Sequence, residues 1–261
     1  MPLCTKTQGG DSVYDFQKAS MWKRISAALF DFIILCTVVV GFALLLSVVV
    51  GYDGYVDNLE AVYNEYEEKY EVDFDAKYDE LTEEQKNNYD TAKDTLLADE
   101  RVHYNNNMVI NFTFVIVTFS ILLAYLLLEF LVPLLFKNGQ TLGKKIFGIA
   151  VMREDGVKIT PMVLFVRTVL GKYTLETMIP VLILIMLYLG IMGIIGLVAI
   201  VGLLIAQVVL LIVTKARTPL HDKISYTVVV DYASQMIFDS TEDLIAYKKK
   251  IHAEQVEAEK N

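Results

Sequence analysis

The chain has 261 residues, of which 54% are hydrophobic and 21% charged, with a mean hydropathy of +0.43 and a formal net charge of -9. An apolar excess gathered into long blocks excludes an ordinary soluble domain, and the negative balance excludes a nucleic-acid partner. Two cysteines, Cys4 in a polar tail and Cys36 in an apolar run, exclude a disulfide framework.

The charge is unevenly placed. Residues 52–108 alone hold 17 Asp and Glu against 5 Lys and Arg, a net of -12, while the rest of the chain sums to +3. An acidic insert is therefore set into a mildly basic membrane protein. After a polar segment over residues 1–23, an apolar run of 26 residues extends from Ile25 to Val50. At about 1.5 Å per residue it reaches roughly 39 Å, enough to cross a bilayer core of about 30 Å with some tilt. It is too long, and lacks the small-residue cleavage site, for a removable signal peptide. Within it lies Asp31, and a carboxylate at that depth costs on the order of 2.5–3.5 kcal/mol. Such a group is expected to face a partner or a wet cavity, with Arg24 preceding it on the same helix.

The stretch 51–107 is rich in Glu, Asp and Tyr and has no proline. Asp57 before Glu60 and Thr82 before Gln85 approximate capping boxes, and Tyr63, Tyr66 and Tyr70 recur at helical spacing. The expectation is an acidic helical hairpin. Asp73, Asp75 and Asp79 lack the spacing and central glycine of a calcium loop, so a solvated acidic surface is the better reading.

A second span is expected over 108–136, interrupted by Glu129. A third block runs uncharged from Met178 to Val213, 36 residues and roughly 54 Å as one helix, too long for one crossing. Gly190, Gly193 and Gly196 offer a turn between two short spans within 173–214; the rival is one long tilted span with a close-packing glycine face. Charge decides between them. The segment 137–172 has a net of +5 from Lys137, Lys144, Lys145, Arg153, Lys158, Arg167 and Lys172 against two acids, and the segment 215–261 opens with Lys215 and Arg217. Both belong on the cytoplasmic side with Lys18, Lys23 and Arg24, which requires an even number of crossings: an all-α fold of four transmembrane helices at 24–50, 108–136 and within 173–214, with both termini cytoplasmic.

Inside, Ile146–Met152 and Tyr226–Val230 read as strands of a small antiparallel sheet. Thr160-Pro161 starts a helix expected to lie at the membrane surface as far as about Gly171. Ser240 onward reads as a charged helix with Leu244, Tyr247 and Ile251 along one side.

Gly139-Gln140-Thr141-Leu142-Gly143-Lys144-Lys145 departs from a nucleotide-binding loop: three residues separate its glycines, Lys145 stands where the hydroxyl is needed, and a span precedes it. It reads as a tight turn whose lysines anchor at anionic headgroups. His221-Asp222 lacks the converging ligands of a metal site, and no nucleophile has a matching base; no enzyme, metal or cofactor is expected. Asp31 and Glu129 each sit seven residues from the cytoplasmic end of their span, about 10 Å into the membrane from one side. They are expected to share a polar pocket, with Arg167, Lys144 or Lys145 reaching inward. Two readings stand: an ion or proton pathway, and structural glue that fixes helix register.

Taken in order, Trp22-Lys23-Arg24 through Asp31, the turn 139–145 with Gly148, Arg153–Gly156, Arg167, and Leu220-His221-Asp222-Lys223 leading to Thr227-Val228-Val229 resemble the RDD family of bacterial membrane proteins. The arginine and two aspartates that name the family map here to Arg24, Asp31 and Asp222. Leu142 replaces the family's usual proline, and the acidic segment far exceeds its usual loop. The resemblance implies a multi-pass protein of the bacterial cell membrane. It further implies either a cation/proton antiporter using Asp31 and Glu129, or a non-catalytic protein that docks an envelope partner or a second copy of itself.

Overall fold

The computed structural model describes residues 17–136, 138–188, 190–214 and 218–260. Cys4, Lys137, Lys215 and Arg217, which figure in the sequence reading, lie outside the described residues.

The chain forms two compact units. One comprises the described residues up to Val38 and from Leu122 onward, the other Val39–Ile121. Four helices are long and apolar enough to cross a membrane: α1 (Met21–Val50), α4 (Glu100–Phe136), α6 (Pro161–Tyr188) and α7 (Gly193–Val213). Their apolar side chains are largely exposed, as lipid-facing helices require. Cys36 is also exposed on α1.

The second unit holds the acidic hairpin. Gly51, at φ 67°, ends α1, and α2 (Tyr52–Tyr70) starts at once. Asp57 therefore lies inside a helix and caps nothing, because the left-handed glycine makes the turn. The expected box at Thr82 does form: its hydroxyl accepts from the Gln85 N–H and the Gln85 side chain accepts from the Thr82 N–H at 3.0 Å, opening α3 (Glu83–Leu97). Val62, Tyr66, Leu96 and Val102 make the unit's core. Beside it Arg101 bridges Glu65 and Asp99.

In the first unit, a five-residue helix α5 (Leu142–Ile146) precedes β1 (Ile149–Arg153), and another, α8 (Leu220–Ile224), precedes β2 (Thr227–Asp231). The strands pair antiparallel, with Ile149 opposite Asp231 and Arg153 opposite Thr227. Both faces are covered. Ile149, Val151 and Val229 pack with Ala19 and Ala27, the latter on α1, while Ala150, Met152, Val228 and Val230 pack with Ile237. Alternation along each strand thus serves two apolar layers. Lys18 bridges to Val230 at the β2 edge, and Lys23 pairs with Asp231 at 2.6 Å, tying the start of α1 to the sheet. After β2, α9 (Thr241–Lys260) buries Leu244.

One expectation is corrected. The surface helix at 161–171 and the following span are a single helix, α6, beginning at the predicted Thr160 cap and Pro161. Gly171 does not stop it; a Cβ there would meet His221 Cβ at 2.6 Å, so the glycine admits a neighbour. The turn predicted at the glycines is found, with Gly190 and Gly193 at positive φ between α6 and α7.

Candidate functional site

The turn 139–145 folds against α1 because of its small residues. Gly139 takes φ 60°, and its side-chain position is already crowded by Ile159 at 2.9 Å. Gly143 is closer still: a Cβ would press on the Ala27 carbonyl and come within 3.0 Å of the Asp31 carboxyl carbon. That approach lets the Gly143 N–H donate to Asp31 Oδ1 at 2.8 Å and the Thr141 hydroxyl donate to Asp31 Oδ2. Thr141 caps α5, accepting from the Lys144 N–H at 3.3 Å and from Lys144 Nζ at 3.2 Å. The Asp31 carboxylate thereby satisfies the backbone and hydroxyl of the turn.

Glu129 lies in a widened stretch of α4 where the backbone bonds five residues back, as from Val132 N–H to the Leu127 carbonyl. The same geometry runs through residues 166–178 of α6. Such π-type turns disturb a 3.6-residue pattern and occur often at functional sites. Here they bring Arg167, Lys172 and Glu176 toward one region. Glu129 Oε2 lies 2.6 Å from Lys172 Nζ and 3.9 Å from Lys144 Nζ, and its carbonyl accepts from the Thr168 hydroxyl at 3.0 Å.

Asp222 is fully buried on α8. Its Oδ1 accepts from Arg167 Nε at 2.7 Å and from the Thr227 hydroxyl at 2.9 Å. Burial opposes its ionised form, but Arg167 and then His221 outweigh that and hold the carboxyl well below its ordinary range. The adjacent His221 turns to α6. Its N–H donates to Glu176 Oε1 at 2.9 Å and its Nδ1 to Glu176 Oε2 at 2.7 Å. Burial lowers the imidazole below its ordinary value, against the pull of Asp222 and Glu176.

Asp31, Glu129, Glu176 and Asp222, together with Arg24, Lys144, Arg167 and Lys172, line one cavity of about 340 Å³. Four carboxylates face four cations, and the set is electrically balanced. Asp31 and Glu129 also share a small crevice with Leu35 and Leu142. The predicted pocket is found, with Arg167 and Lys144 reaching inward. Lys145 does not join them; it is exposed and its Nζ sits 3.8 Å from the centre of the Phe136 ring. Lys144 is buried and so does not serve as the headgroup anchor expected of it; Gly143 seats the turn closely on α1 beside it.

Sequence reasoning missed Lys172, Glu176 and His221 as site members. The wide turns hid the first two, and His221 was weighed only as a metal ligand. Gln207, the polar interruption of α7, was a visible signal: its Oε1 accepts from the Leu220 N–H at 3.2 Å, fixing the start of α8. Among the described residues no group of three or more His, Cys, Asp or Glu is placed to hold a metal ion. A family model described as the RDD family matches residues 18–226. No curated protein and no solved structure matches the chain.

Proposed function

The chain belongs to the RDD family of membrane proteins, and from that premise we propose that it exchanges a monovalent cation for a proton at the cavity shared by Asp31 and Glu129. The carrying observation is that two carboxylates from different membrane helices line one cavity large enough for water and a guest. In one state a carboxylate of the pair holds a proton. In the other it has released that proton and faces the cation, so the charge within the membrane is the same in both. Lys172 and Lys144 stand against Glu129. An arriving cation therefore competes with an ammonium, and Arg24, Arg167 and Asp222 complete the balance. In this reading both termini are cytoplasmic, and the cavity then lies about 10 Å into the membrane from that side.

The test is dissipation of a pH gradient in everted vesicles by a panel of alkali and organic monovalent cations. Wild type is expected to respond to at least one of them, and Asp31→Asn at equal membrane expression is expected not to. A wild-type signal no larger than that of empty membranes, with the protein folded and inserted, refutes exchange.

A second reading draws on the hairpin unit, which has its own core and an acidic surface. In that reading the hairpin docks a basic envelope partner and the buried charges only hold the spans. Deleting residues 52–97 would then abolish function while Asp31→Asn left it intact.

A further inference from the structure

The carboxylates of the cavity differ in what holds them. Asp31 accepts from Thr141 and Gly143, Asp222 from Arg167 and Thr227, and Glu129 faces the Lys172 ammonium. Glu176 faces an imidazole, the side chain whose ordinary titration falls between about pH 5 and 8. Its Oε2 lies 2.7 Å from His221 Nδ1, and its Oε1 accepts the His221 backbone N–H at 2.9 Å. A carboxylate on Nδ1 keeps the proton of the neutral ring there and leaves Nε2 as the acceptor.

Nε2 lies 3.7 Å from Asp222 Oδ1, beyond hydrogen-bond length, and accepts no hydrogen bond among the described residues. The Asp222 side chain is 1% exposed, whereas that of His221 is 12% exposed and lines the cavity. His221 stands on α8, outside the four membrane-length helices, and the same cavity reaches Arg24, Asp31 and Glu129. The charged groups facing the ring are Glu176, Arg167 and Lys172 of α6 and Asp222 of α8, while α7 presents the uncharged Gln207 beside Glu176. The two carboxylates favour a charged ring; burial and the two cations oppose it. Opposed influences of this kind keep both ring states within reach, as a proton carrier requires. An amide at position 221 would satisfy Glu176 equally well but could carry no proton.

We infer that His221 is the proton shuttle of this cavity, taking up and releasing a proton at Nε2 while Glu176 holds the ring by Nδ1. The inference rests on the exchange reading and supplies the route of its proton. Uptake forms one N–H bond at Nε2 and gives an imidazolium between the carboxylates of Glu176 and Asp222. Release breaks that bond and passes the proton to water in the cavity, from which Asp31 or Glu129 receives it. The ring is then back in the tautomer that Glu176 imposes, ready for another proton. Proton release from Asp31 or Glu129 runs the same steps in reverse. Glu176 is a positioning residue, and it stays ionised throughout.

The chain has three histidines, so His103→Gln with His252→Gln leaves His221 as the single imidazole. The experiment is nitrogen NMR of that ring in the purified full chain in detergent, titrated from about pH 8 to 5. At the upper end the proton is expected on Nδ1 with Nε2 bare, and Nε2 is expected to protonate reversibly, with a midpoint below the ordinary histidine value. Glu176→Gln, which removes a charge favouring the imidazolium, should lower that midpoint further. A proton on Nε2 at the upper end, or ring signals that stay constant across the range in the folded chain, overturns the inference. In vesicles, His221→Asn keeps the Cβ seated at Gly171 and an amide donor for Glu176 but carries no proton. Its maximal exchange rate should fall by about tenfold or more, with the half-saturating cation concentration unchanged and the rate restored by added imidazole. An undiminished rate in His221→Asn also overturns the shuttle. Reversible titration of His221 with no exchange in wild type overturns the exchange reading and leaves His221 a proton-accepting site.

Discussion

Gly143 decides whether the turn 139–145 can sit on α1, because a side chain there meets the Ala27 backbone and the Asp31 carboxyl. Gly143→Ala should lower stability by about 1–3 kcal/mol, the usual cost of forcing atoms into a packed contact; a thermal unfolding midpoint unchanged from wild type would contradict this contact. Lys144 makes a prediction in pH. Burial, aided by the Lys172 charge, pushes its ammonium down to about 8, against the pull of Glu129 and Asp31. In the unfolded chain the group titrates near about 10.4. Between these values the unfolded state holds more protons, so stability rises as pH climbs from about 8 toward 10, and below about 8 the cost is fully present. The rise should appear as the difference between wild type and Lys144→Met in denaturant midpoints across that range. Equal slopes for the two would show that Lys144 is solvated.

Among the elements, the ends that obey ordinary capping chemistry were legible in the sequence. Thr82 with Gln85, and Thr160 with Pro161, form the caps their spacing predicts. Thr82→Ala should cost about 0.5–2 kcal/mol, read as faster amide exchange over residues 83–86 with the rest of the chain unaffected; uniform acceleration would place the effect outside the cap. The strands were legible because β-branched runs flanked by turn residues have few alternatives, although β1 starts at Ile149 rather than Ile146. Two features were not. Gly171 looks like a stop and serves as a contact for His221. The π-type stretches of α4 and α6 break the 3.6-residue pattern on which face assignments depend, so Lys172 and Glu176 could not be placed beside Arg167 from spacing.

For the whole molecule, long apolar blocks are a strong signal, and four membrane-length helices were readable from length and charge alone. The shared pocket of Asp31 and Glu129 was readable from their equal depth. Its closure was not, since it depends on Arg167 with Asp222 and on Glu176 with His221, pairs 55 and 45 residues apart in sequence. The account turns on this balanced cavity being wet although it lies among membrane helices. A direct measurement replaces Cys4 and Cys36 with Ser and introduces one cysteine at Leu35, which is partly buried and lines the cavity, or at Leu44, on the exposed apolar surface of α1. A membrane-impermeant maleimide should label Leu35→Cys far faster than Leu44→Cys in everted vesicles. Equally slow labelling at both sites, while Trp22→Cys at the exposed start of α1 reacts normally, would contradict a water-filled cavity and leave the charges as glue.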